Sequence, residues 1–164
     1  MSKIILYTAD TNTTTGIREA TLDEIMTGAR QALSLHVRKG TVFSSPKITA
    51  NYLTARLAQH PYEVFTLIYL DNRHRFIAAE DLFRGTIDGA TVHPREVVKE
   101  ALKHNAAAVI IAHNHPSGVA EPSAADEAIT RRLKEALSLV EIRVLDHIIV
   151  AGGATTSFAE RGIL

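Results

Sequence analysis

Seven consecutive apolar residues, AAAVIIA at 106–112, constrain the fold of this chain more than any other feature. Successive side chains of a strand point to opposite faces. An unbroken apolar run therefore fits a strand that is covered on both faces, inside a sheet rather than at its wet edge. The run stops abruptly at His113-Asn114-His115-Pro116-Ser117-Gly118. A buried strand thus delivers two imidazoles to the place where the chain leaves the sheet.

The flanking segments supply the cover. Thr21-Leu22-Asp23-Glu24 has capping-box spacing and predicts a helix start. Leu22, Ile25, Met26, Ala29 and Leu33 follow at helical intervals, with Gly40 as a stop. A second helix is expected with Ser45 as cap and Pro46 at its first position, ending before Pro61. EVFTLIYLD reads as a strand, NRH as a turn and RFIAAEDLFRG as the returning strand. PREVVKEALKHN predicts a helix opened by Pro94, and Ser123 to about Val140 predicts another. IRVLDHIIVAGG is a last strand closed by a glycine pair, and the threonine cluster marks 10–16 as a loop. Mixed strands and helices predict an α/β class fold, with a central sheet flanked by helices.

Charge and cysteine content exclude several classes of function. The 164 residues hold 18 Lys plus Arg against 18 Asp plus Glu, so net charge gives no pull toward phosphate and no strong nucleic-acid signal. With no cysteine there is no disulfide, thiolate metal site or thiol nucleophile. The N-terminal apolar run is four residues long, too short for a signal-peptide core, and no run reaches membrane-spanning length. A soluble cytoplasmic protein, with no membrane partner, is the expectation.

His113 and His115 are two apart at a strand end and so point to the same side. Their nitrogens can converge on one point, as a metal ion requires. Ser123 and Asp126 have capping-box spacing and alone need mean no more than a helix start. The same geometry, however, puts a carboxylate in the first helical turn, facing the histidine loop, where an anion is favoured. Two histidines and one carboxylate leave a fourth tetrahedral position for water, the pattern of a catalytic zinc site. The adjacent letters His-Asn-His do not make a nuclease of the HNH type. In those enzymes the named residues lie tens of positions apart on a ββα unit.

HNHPSGVAEPSAAD, read as His-x-His, seven residues, then Ser-x-x-Asp, resembles the signature of the JAMM (JAB/MPN-type) zinc metallopeptidases. With GTIDGATVHPREVVKEAL, LDHIIV and SFAERG, the chain from about Pro46 onward resembles the RadC-like branch of that superfamily. The resemblance implies a JAB/MPN, cytidine-deaminase-like architecture with a mixed curved sheet. It implies a RadC-like domain over 46–164 behind an N-terminal helical extension, 1–45, in place of the helix-hairpin-helix region of full-length RadC proteins. It also implies one zinc ion per chain on His113, His115 and Asp126, with Glu63 of YEVF as general base and Ser123 as donor to the oxyanion. The activity implied is hydrolysis of a peptide or isopeptide bond in a protein or peptide substrate. The alternative is a non-catalytic protein-binding module associated with DNA repair or a mobile element.

Other candidates carry less. Alternation groups His147 with Leu145 and Ile149, which fits a packed histidine or a partner behind a ligand. Asp146, on the opposite face, is a weaker candidate for such a partner. His93 and Arg95 fit a helix entry, TRRLKEA a solvated basic face, and Asn114 a turn-ordering role. His36, His60, His74 and His104 show no partner pattern.

Overall fold

A computed structural model describes residues 7–9, 17–43, 45–85 and 91–164. The expected loop at 10–16 lies outside these, as do the side chains of Met26 and Leu33. The first elements are two short antiparallel strands that the sequence did not announce, β1 (Tyr7–Ala9) and β2 (Ile17–Glu19). Helix α1 (Leu22–His36) follows, opened by the expected box. Glu24 Oε2 accepts from the Thr21 amide at 2.8 Å, and Thr21 Oγ1 accepts from the Glu24 amide at 3.3 Å. Helix α2 (Pro46–Leu57) starts on Ser45, whose hydroxyl accepts from the Ile48 amide.

The remainder builds one five-stranded sheet. Its strands are β3 (Val64–Leu70), β4 (Phe76–Arg84), β5 (Ala108–Asn114), β6 (Arg143–Ala151) and β7 (Ala154–Ser157), in the order β4-β3-β5-β6-β7. Helix α3 (Pro94–Lys103) joins β4 to β5, and α4 (Ala124–Ser138) joins β5 to its parallel neighbour β6. All other pairings are antiparallel. Every residue of β3 and β5 is buried, as the apolar run requires. The glycine pair closes β6 as expected, but it is also the turn into β7, whose sequence ATTS gave no strand signal.

Two cores sit on the two faces. Tyr52, Leu53 and Leu57 of α2 pack with Ile68, Ile110, Ile148 and Val150. Val97 and Ala101 of α3, with Leu133 and Leu137 of α4, pack with Leu67, Val109 and Ile111. Two shifts of register between β3 and β4, and one between β5 and β6, bend this sheet. The last pairs Val109 with Val144 but Ile110 with Asp146, leaving Leu145 extra. Leu145 therefore packs with the α2-side core while His147 pairs with Ile111 on the other face, so the expected grouping of Leu145 with His147 does not hold. Among the described residues no helix is long and apolar enough to cross a membrane.

Candidate metal centre

The parallel pair β5/β6 places the carboxyl end of β5 beside the N-terminus of α4, the usual location of a site in an open α/β sheet. His113 is the penultimate residue of β5 and 1% exposed; His115 follows the strand and is partly exposed. The Pro116-Ser117-Gly118 turn folds the chain back. The Gly118 amide donates to the His115 carbonyl at 3.1 Å, and Gly118 has φ 80°, a conformation costly for residues with a Cβ. The turn brings the Val119 carbonyl within 2.7 Å of His115 Nδ1. Its proton is thereby fixed on Nδ1, and Nε2 is directed at the centre.

His113 is oriented from behind by a relay. Thr130 Oγ1 donates to the Asp126 carbonyl at 2.5 Å, a common bond for a threonine inside a helix. His147 Nδ1, 2.6 Å from the same hydroxyl, must then donate to it. His147 Nε2 is left to accept from His113 Nδ1 at 2.8 Å. This assignment satisfies each group and turns the lone pair of His113 Nε2 toward the centre. His147 is fully buried; burial first, then its neighbour His113, pushes its pKa well below the ordinary histidine value. Of the two expected partners, His147 therefore stands behind His113. Asp146 does not: Ser157 Oγ and the His147 and Ala159 amides donate to it at 2.6, 2.7 and 3.0 Å, tying the C-terminal turn to β6.

Asp126 completes the cluster. Its Oδ1 is 3.1 Å from His113 Nε2, its Oδ2 is 3.6 Å from His115 Nε2, and the two imidazole Nε2 atoms are 2.9 Å apart. Two ligands at about 2.0–2.1 Å from a tetrahedral zinc ion lie about 3.3 Å from each other. The donor set thus has the types and separations a zinc ion takes, and His113, His115 and Asp126 form a group that could hold one. Burial acts to raise the Asp126 pKa, but the neighbouring His113 and His115 imidazoles and the Ser123 hydroxyl outweigh it and hold it far below the carboxylate range. The Asp126 hydrogen bond raises the His115 pKa against burial, helped by the Val119 carbonyl and the charges of Asp126 and Glu63.

Ser123 caps α4 in the expected reciprocal box. Its hydroxyl donates to Asp126 Oδ2 at 2.6 Å and accepts from the Asp126 amide at 3.1 Å, while its own amide donates to Oδ2 at 2.8 Å. Glu63 lies at the entry to β3, its charge felt at His115 but its carboxylate outside the three-ligand cluster. Asn114 holds this entry in place, a role with no signal in the local sequence. Its Oδ1 accepts from the Val64 amide at 2.8 Å, and its Nδ2 donates to the Tyr62 and His60 carbonyls at 2.9 and 3.3 Å. The side chain expected to order its own turn instead fastens the segment on both sides of Glu63. His93 and Arg95 stay at the entry to α3, and Arg131, Arg132 and Lys134 are solvated, as expected.

The family model described as the RadC-like JAB domain matches residues 43–163. The UPF0758 protein of Nitrosococcus oceani is 67% identical over 135 residues, covering 82% of this chain and 60% of that protein. A UPF0758 protein of Thioalkalivibrio sulfidiphilus is 61% identical over 145 residues, covering 88% of this chain and 65% of its own length. That of Halorhodospira halophila is 60% identical over 136 residues, covering 83% and 61%. The chain thus spans 60–65% of the length of these curated relatives.

Proposed function

From the premise that this chain belongs to the RadC-like JAB domain family, we propose that it is a zinc-dependent hydrolase of the JAMM type, cleaving a peptide or isopeptide bond. The observation that carries this reading is the convergence of His113 Nε2, His115 Nε2 and Asp126 on one point, with the charge of Glu63 felt at His115 from outside the ligand set. The zinc ion, when bound, would polarise the scissile carbonyl and lower the pKa of water to about 7. Glu63 takes the proton of the attacking water and returns it to the leaving amine. Asn114 keeps that carboxylate in reach by fixing the strand entry on both sides of it.

Ser123 has two duties in this scheme. Its hydroxyl proton rests on Asp126 Oδ2, and it can turn to the oxyanion of the attacked carbonyl because the Ser123 amide still holds Oδ2. Asp126 Oδ1, the oxygen nearer His113, would then be the atom left to hold the metal. His147 and Thr130 keep His113 in the tautomer that presents Nε2.

The test is Glu63→Gln, assayed with wild type on a peptide and isopeptide library, with and without chelator. The variant keeps an acceptor oxygen but takes no proton at neutral pH. Zinc content should be unchanged and turnover lower by about 10²–10⁴. Wild-type turnover in zinc-loaded Glu63→Gln protein would refute the role of Glu63; absence of any chelator-sensitive cleavage by wild type would refute the hydrolase reading.

A further inference from the structure

A second cluster lies under the far end of the sheet. Glu100 and His104 are four apart at the C-terminal end of α3, so their side chains share one helix face. That face lies over the sheet where Glu80 of β4 pairs with Leu67, a residue of the core beneath α3. One ligand atom from each of Glu80, Glu100 and His104 lies within 4.8 Å of the others. His104, which showed no partner pattern along the chain, thus has acidic neighbours in the fold. Tyr69, five residues along β3 from Val64 at the strand end near the first centre, forms the floor, its ring stacked on His104 at 4.3 Å.

The polar groups here are not satisfied by one another. His104 Nε2 is 3.0 Å from Glu80 Oε1, but the approach is misaligned for a hydrogen bond, and this buried nitrogen has no hydrogen-bond partner. The Tyr69 hydroxyl is also buried without one, on a residue that is 0% exposed. The phenol is close to both carboxylates: burial pushes its pKa above the ordinary tyrosine value, and the charges of Glu80 and Glu100 push it further. A buried hydroxyl in the field of two carboxylates, bonded to neither, is an expensive arrangement.

We propose that Glu80, Glu100 and His104 form a second binding site for a first-row divalent cation such as zinc or manganese, separate from the first centre. Two co-ligands of one small ion sit about 3.3 Å apart with the ion off the line between them, which is how His104 Nε2 and Glu80 Oε1 are disposed. Lys103 Nζ holds Glu100 Oε2 at 2.7 Å and leaves Oε1 for the ion. A cation also suits the C-terminal end of a helix. A water on the ion gives the Tyr69 hydroxyl the partner it lacks. Two carboxylates with one imidazole suit zinc or manganese in particular. The ion would tie the end of α3 to the edge strand β4.

The experiment titrates zinc, and separately manganese, into chelator-treated full chain by calorimetry at neutral pH. The two sites are separated by variants: His113→Ala with Asp126→Ala removes the first, and His104→Gln or Glu80→Gln the second. The pair His113→Ala, Asp126→Ala should still bind one equivalent of zinc or manganese, and adding His104→Gln should abolish it. Thermal unfolding of that pair should shift upward with the ion only while His104 and Glu80 are intact. The proposal is overturned if the pair binds neither ion, or if its bound ion is indifferent to both His104→Gln and Glu80→Gln. Both outcomes are read without any substrate.

Discussion

Replacing Asn114 with alanine tests how the strand entry is held beside the centre. The side chain is 2% exposed and makes three bonds, to the Val64 amide and to the Tyr62 and His60 carbonyls. The Val64 amide is buried, and an orphaned buried donor costs about 1–3 kcal/mol. The carbonyls are closer to solvent, so about 0.5–1 kcal/mol for each is a fair share of the usual net worth of such a bond. Asn114→Ala should therefore destabilise by about 2–5 kcal/mol, read as a lower urea midpoint with an unchanged slope. Asn114→Asp keeps an acceptor for Val64 but sets a carboxylate against two carbonyls. Its folded-state pKa lies above the unfolded value, so its penalty is full at neutral pH and shrinks as pH falls through that raised pKa. Zinc stoichiometry should stay the same in both variants, because neither alters His113, His115 or Asp126. A loss below about 0.5 kcal/mol for Asn114→Ala would show that these bonds do not hold the segment bearing Glu63, and the positioning role would fall with it.

Three further outcomes follow from the same geometry. Ser123→Ala should cost about 0.5–2 kcal/mol in thermal or urea unfolding through the lost cap, and about 10²–10³ in turnover through the lost oxyanion donor. A stability loss with unaltered turnover would leave Ser123 a cap alone. His147→Leu removes the acceptor behind His113 and should weaken zinc binding by about 10–100-fold in a chelator competition, with His147→Gln closer to wild type because it keeps an acceptor; equal affinity in all three proteins would refute the relay. Zinc affinity should also fall with pH, and the sign follows from His115. Asp126 raises its pKa, so protons begin to compete with zinc above the reference value of about 6.5, and affinity drops as pH falls through the raised value. Calorimetry that gave one affinity from pH 8 to pH 6 would contradict this.

What the sequence determined by itself was local. AAAVIIA required a strand covered on both faces, and β5 is buried along its whole length. The boxes at Thr21 and Ser123 join residues three apart, and both formed. His113 and His115 come from one strand end and Asp126 from the next helix start, so short-range geometry already aimed them at one another. Such signals are legible because each depends on a repeat of two, three or four residues. Tertiary structure decided the rest. Asn114 meets Val64 across 50 residues, and His113 meets His147 across 34, through pairings of β5 with β3 and β6 that no local period encodes. The extra residue at Leu145 reverses which face each later side chain takes, and so sets which neighbour lies behind His113. Glu80, Glu100 and His104 come together only because α3 lies over the edge of the sheet. In the sequence Glu80 lies 20 residues from Glu100. A strand pairing or helix docking is fixed by the total burial it achieves, which belongs to the assembled chain and to no segment of it.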